Sequence, residues 1–301
     1  VDRQRMIDYG YRAIHEMTVK AKAIIESHYG REPQYSYFNG CSTGGRQGLM
    51  EAQRFPDDYN GIISGAPVNR FTNLHMGQLW TAHATLKKPG AVLTRDDLAK
   101  VSAAVLAQCD ADDGVKDGML ANPRTCKFDP STLQGFKPEQ IEALKMIYKG
   151  AVNPRTGVQV YPGLEVGGEG PQPNNPGWGL IMNGKDIFAI DAPVLGGMGF
   201  DNPNWDWKTF DFDRDVALVD AHDSRQAWDR YPGVAVVEQL RRTRSPERTT
   251  VIVTSGRMFD PMLRLRMAEQ QGQLASVPRR LDPLRLDHVD AEGDAPFQAL
   301  Q

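Results

Sequence analysis

The chain has 301 residues and a formal net charge of −3, a length that holds one large α/β domain or two smaller ones. No basic stripe points to nucleic acid, and no run of about 18 apolar residues could span a membrane. The chain begins VDRQRMIDYGYRAIHEM, an amphipathic helix pattern rather than a signal peptide; with Val in first place it reads as a processed or trimmed piece.

Ile7, Ala13, Ile14, Met17, Ala21, Ile24 and Ile25 recur at helical spacing as far as Tyr29-Gly30. Pro33 ends that pattern. Residues 35–39 predict a short strand, and 48–55 a helix stopped by Pro56. GIISGAP, residues 61–67, predicts a second buried strand closed by proline. Strand, turn, helix and strand make one βαβ unit of a parallel sheet.

From about residue 69 to 208 the character changes. This stretch holds most of the tryptophans and a Gly/Pro/Asn-rich middle at 161–179. Helices are expected at 95–108 and 137–149, with few strand signals. The stretch reads as an inserted, mostly irregular or helical lid domain. FDFDRDVALV, residues 210–219, leads out of it. TTVIVT, residues 249–254, is the clearest later strand, and another is expected near 280–286. No lysine follows Lys208 while arginine continues, so composition shifts in the last third of the chain. The expected domains are 1–68, 69–208 and 209–301.

The sharpest chemical signal is Gly40-Cys41-Ser42-Thr43-Gly44. This is G-x-S-x-G, set between a predicted strand and a predicted helix, the context of a nucleophile elbow. Such a turn exposes the serine above the first amides of the following helix. Ser42 is the expected nucleophile, and the amide of Thr43 one oxyanion donor. A serine hydroxyl needs a histidine to take its proton, and that histidine needs a carboxylate. Six histidines are present: His15, His28, His75, His83, His222 and His288. The α/β-hydrolase order of serine, acid, histidine sets aside His15 and His28.

Asp110, Asp113 and Asp117 recur in D-x-x-D-G-x-x-D, with Gly114 and Gly118 permitting tight turns. Carboxylates this dense repel one another unless a hard cation sits among them, and calcium takes six to eight oxygens. The order is not that of an EF-hand. There are three cysteines; Cys109 and Cys126 flank this loop and could close it, leaving Cys41 beside the serine. Phe71, His75, Trp80, Trp178, Trp205 and Trp207 could line an aromatic pocket, although packing in the inserted domain is the better reading. Arg46 reads as structural or helix-surface rather than as a substrate ligand.

The runs AIHEMTVKAKAIIESHYG and YSYFNGCSTGGRQGLMEAQRFPDDYNGIISGAP closely resemble the tannase and feruloyl esterase family, as do CDADDGVKDGMLANPRTCKFDP and FDFDRDVALVDA. The resemblance is dense from about Tyr9 to Trp80 and weak in the middle of the insert and beyond Ala221. It implies an α/β class and an α/β-hydrolase core with a large lid, in secreted or periplasmic serine esterases of aromatic acid esters. Strands that precede the nucleophile strand in that fold are not in this chain, so the resemblance implies an incomplete core. The same holds for the loop that gives the second oxyanion amide.

The resemblance also places further residues. It puts the acid in TSGRMFDP, at Asp260, with one extra residue before Asp-Pro, and the base in LDHV, at His288. His222 is the second choice of base. The family joins the cysteine before the serine to one after the histidine, a position that here holds Val289. In the acidic loop it implies calcium held also by the carbonyls of Val115 and Met119, and it fits a Cys109–Cys126 bridge. The leading expectation is a serine carboxylesterase with a small aromatic ester as substrate. The alternative is a catalytically silent, calcium-stabilised remnant that at most binds an aromatic ligand.

Overall fold

The computed structural model describes residues 2–68, 70–171, 175–182, 184–221 and 250–254, the last without their side chains. The strand expected near 280–286 lies outside the described residues. The chain divides into two compact units, Val1–Phe71 with Gln226–Gln301, and Thr72–Arg225.

The first unit opens with α1 (Arg3–Ile7), whose cap Asp2 accepts the Gln4 amide at 2.9 Å. A π-helical turn, Asp8–Arg12, joins it to α2 (Ala13–Tyr29). Gly30 closes α2 at φ 71°, a left-handed cap that glycine adopts without strain. The apolar spacing of α2 does not set its packed face. Met17, Ile24 and Ile25 are 52%, 68% and 37% exposed. Polar contacts fix the helix instead: His15 Nδ1 lies 2.7 Å from Asp58 Oδ2, Lys22 donates to the Asp58 carbonyl, and Thr18 meets the Tyr59 hydroxyl.

The βαβ unit follows as β1 (Tyr37–Cys41), α3 (Thr43–Arg54) and β2 (Gly61–Gly65). The strands run parallel, with Tyr37 opposite Gly61 and Cys41 opposite Gly65. On its other edge β2 pairs in parallel with the strand Thr250–Thr254, Gly61 opposite Thr250 and Gly65 opposite Thr254. Helix α3 lies against the sheet through Ala52, which packs with Ile62, Tyr59 and Phe38. It stops before Pro56, whose ring disfavours helical backbone in the residue ahead of it.

In the second unit α4 (Phe71–Leu86), which starts at the junction, is buried on several sides. Helix α5 (Arg95–Cys109) starts with a reciprocal capping box between Thr94 and Asp97, and α6 (Pro138–Lys149) with proline in its first turn. These two match the helices expected from the sequence. The short strands β3 (Ala151–Val152) and β4 (Gln159–Tyr161) form an antiparallel pair. Helix α7 (Asp215–Ala221) ends the described part of the unit. One core gathers Leu98, Val101, Val105, Leu144, Ile147 and Trp178; the other gathers Met76, Leu79, Trp80, Leu195, Phe210 and Val219.

Candidate nucleophile elbow and acidic loop

Strand β1 carries the chain to Ser42, where the backbone turns sharply into α3. Ser42 has φ 59° and ψ −117°, a conformation that costs a residue with a Cβ on the order of 1–3 kcal/mol and persists only when its surroundings enforce it. Three features enforce it. The Ser42 amide donates to the Gly65 carbonyl at 2.9 Å, and the Arg46 amide returns to the Ser42 carbonyl at 3.0 Å. A Cβ on Gly40 would stand 2.5 Å from the Gly44 carbonyl oxygen, and one on Gly45 would stand 2.3 Å from that of Gly65. Ser64 completes the packing by donating its hydroxyl to the Gly45 carbonyl at 2.6 Å.

The Ser42 side chain is exposed and does not cap α3, so its hydroxyl is presented outward. Thr43 is the first residue of α3, where helix amides have no partner four residues back. Cys41 is a half-buried free thiol beside them. The expected acid Asp260 and base His288 lie outside the described residues, as do His222 and Val289.

Arg46 is buried at 3% exposure, as a structural residue rather than a helix-surface one. Its guanidinium donates to the carbonyls of Gly10 and Tyr9, both at 3.0 Å, and lies 4.9 Å from the Tyr9 ring centre and 5.4 Å from that of Phe71. Further along α3, Glu51 is 1% exposed. Burial, with the neighbouring Asp58 carboxylate adding to it, pushes the Glu51 carboxyl up to about 8.

The aromatic set divides by structure. Trp80, Trp178 and Trp207 are core residues of the second unit, and Trp205 packs partly buried against Phe210. His75 is buried with Nδ1 2.7 Å from Asp191 Oδ1; burial raises the Asp191 carboxyl while His75 lowers it. His83 is held down to about 4, by burial first and then by Lys87. Two histidine–aspartate pairs among the described residues, His15–Asp58 and His75–Asp191, join residues 43 and 116 positions apart, and no local motif in the sequence announces either.

Cys109 and Cys126 form a disulfide with Cα atoms 5.7 Å apart. Between them three of the four aspartates accept a backbone amide: Asp113 from Val115 at 2.9 Å, Asp117 from Met119 at 3.0 Å, and Asp110 from Gly118 at 3.0 Å. Among the described residues no three His, Cys, Asp or Glu side chains converge as metal ligands. The donor chemistry of the loop nevertheless suits a hard cation, being carboxylates and backbone carbonyls within ten residues of chain, from Asp110 to Met119. A cavity of about 200 Å³ lies beside it, lined by Asp112, Asp113, Leu120, Asn122 and Thr125 together with the disulfide.

A parallel βαβ unit with a strained serine at its strand-to-helix turn is the signature of an α/β-hydrolase core. The family model described as tannase and feruloyl esterase matches residues 1–228, and the chain belongs to that family. It is 36% identical, over 72% of its length, to an uncharacterized esterase of Xanthomonas campestris pv. campestris, of which it covers 40%. It is 34% identical, over 51% of its length, to mono(2-hydroxyethyl) terephthalate hydrolase of Piscinibacter sakaiensis, covering 30% of that protein. The crystal structure of feruloyl esterase B from Aspergillus oryzae superposes with a TM-score of 0.70 at 25% identity, over 82% of this chain and 49% of that one. The chain thus spans half or less of the length of these relatives.

Proposed function

We propose that this chain is the nucleophile-bearing part of a serine carboxylesterase that cleaves aromatic acid esters through an acyl-enzyme. The observation that carries the reading is the exposed Ser42 at φ 59° on the β1–α3 turn, in a chain of the tannase and feruloyl esterase family. Relatives that bear the names feruloyl esterase and mono(2-hydroxyethyl) terephthalate hydrolase support an aromatic acyl group.

In this reading Ser42 Oγ attacks the ester carbonyl while His288 takes the hydroxyl proton, and Asp260 holds the imidazole in the required tautomer. The Thr43 amide donates to the developing oxyanion, a contribution of about 3 kcal/mol for one such donor. His288 returns the proton to the leaving alcohol. Water, deprotonated by the same base, then releases the acid and restores Ser42.

Calcium is assigned to the acidic loop, held by the carboxylates of Asp110, Asp113 and Asp117 and the carbonyls of Val115 and Met119. There it would neutralise the carboxylates and stiffen the loop. A disulfide between Cys109 and Cys126 suits an oxidising compartment, in keeping with a secreted or periplasmic protein.

Turnover of p-nitrophenyl and feruloyl esters by the chain and by Ser42→Ala tests the reading. Hydrolysis that is lost with Ser42 supports it. A folded sample with no turnover above the uncatalysed background supports the silent remnant instead, and turnover equal in both rejects Ser42 as the nucleophile.

A further inference from the structure

The peptide unit between Ser42 and Thr43 carries both the Ser42 carbonyl and the Thr43 N–H. Because that unit is planar, whatever fixes the carbonyl also fixes the direction of the N–H. The carbonyl accepts the Arg46 amide at 3.0 Å. Arg46 is in turn anchored through its side chain, which reaches back to the π-helical turn Asp8–Arg12 and donates to two successive carbonyls, Tyr9 and Gly10, each at 3.0 Å. The rings of Tyr9 and Phe71 lie against the guanidinium, and stacking on aromatic faces favours arginine over lysine there. π turns recur at functional sites, and this one meets the side chain of the fourth residue of α3.

We propose that Arg46 is a positioning residue of the elbow: its guanidinium, fastened to the Tyr9 and Gly10 carbonyls, sets the direction of the Thr43 N–H. The catalytic consequence rests on the reading of Ser42 as nucleophile and Thr43 as oxyanion donor. A buried fork that bonds two carbonyls at once is a geometry that a lysine ammonium, a point charge on a flexible stem, does not reproduce. The substitution Arg46→Lys therefore keeps the charge and much of the volume while releasing the anchor.

The test has one readout that needs no catalysis and one that does. Amide hydrogen exchange is measured at Ser42 and at position 46, with Ile62 and Ile63 of β2 as internal references. A fluorophosphonate probe gives the maximal rate of Ser42 phosphonylation and the probe affinity separately. In Arg46→Lys the two elbow amides should exchange about tenfold faster while Ile62 and Ile63 hold their rates. Maximal phosphonylation should fall at least about tenfold with probe affinity within about twofold, since misplacement of about an ångström is costly for a reacting centre. Tyr9→Leu, which removes one ring face and leaves both carbonyl bonds, should move both readouts the same way by less, and it decides the matter if Arg46→Lys does not melt cooperatively. Unchanged elbow exchange would overturn the proposal. So would equal acceleration at elbow and reference amides, which marks a role in global stability alone. A wild type that takes no phosphonate removes the esterase reading, while the exchange comparison still decides whether Arg46 holds the elbow.

Discussion

The amide of Ser42 donates to the carbonyl of Gly65 at 2.9 Å, so the last residue of β2 holds the turn that follows β1. A Cβ on Gly45 would lie 2.3 Å from that same carbonyl oxygen. The second glycine of the G-x-S-x-G motif is Gly44, yet a Cβ there would meet nothing within 4 Å. Among the described residues the steric demand therefore falls on Gly40 and on Gly45, the second glycine of the Gly44-Gly45 pair. Gly45→Ala should cost roughly 1–3 kcal/mol or more, through forced separation of α3 from β2. Gly44→Ala should be neutral or stabilising by up to about 1 kcal/mol, because alanine narrows the unfolded ensemble. Chemical denaturation of the two variants checks the contrast.

The elbow was legible because its chemistry is local: strand, glycine, serine, glycine and helix follow one another in the chain. Other parts were not. Helix α4 gives no amphipathic stripe, since Phe71, Met76, Leu79 and Ala84 are buried along with Thr72, Asn73, His75 and Thr81, and periodicity is silent when several faces pack. Helix α2 misled in the opposite sense, because its apolar residues mark a face that its polar contacts with Asp58 and Tyr59 override. The anchor from Arg46 to Tyr9 and Gly10 spans 37 and 36 positions, beyond the reach of a local motif.

Glu51 makes stability depend on pH. Its folded carboxyl is raised from an ordinary 4.5 to about 8, so the folded state binds the extra proton and stability falls as pH rises. The loss begins near pH 4.5 and is complete above about pH 8. Asp58 neighbours Glu51, and around these two carboxyls stand His15, at 2.7 Å from the Asp58 carboxylate, Lys22 on the Asp58 carbonyl, and Tyr59. Glu51→Gln carries no titrating proton and should flatten the profile, gaining on the wild type between pH 5 and 9 by an amount on the order of a few kcal/mol. Melting curves across that range check it.

The buried His75–Asp191 pair, 4% and 0% exposed, predicts a steep cost for breaking it. Asp191→Ala leaves His75 without its Asp191 partner in the interior of the second unit, and loss of one partner of a buried hydrogen bond costs about 1–3 kcal/mol. Asp191→Asn, which keeps an oxygen to accept from Nδ1, should cost less. A similar loss in both variants would show that the asparagine oxygen does not replace the Asp191 carboxyl as the partner of His75.

The acidic loop gives two separable effects. The disulfide spans 17 positions, a closure that restricts the unfolded chain by about 3 kcal/mol, so Cys109→Ser with Cys126→Ser should lower the melting temperature regardless of metal. Calcium should raise that temperature and a chelator should lower it, an effect that Asp113→Asn with Asp117→Asn should abolish. An unchanged melt on chelation counts against calcium in the loop.

The esterase reading stands or falls with Ser42 as an activated nucleophile. The most direct measurement is fluorophosphonate labelling of the folded chain, with the modified peptide identified by mass spectrometry. One adduct is expected, on the peptide that contains Ser42, absent from Ser42→Ala and from heat-unfolded protein. An adduct on another residue, or none in a folded sample, would contradict it.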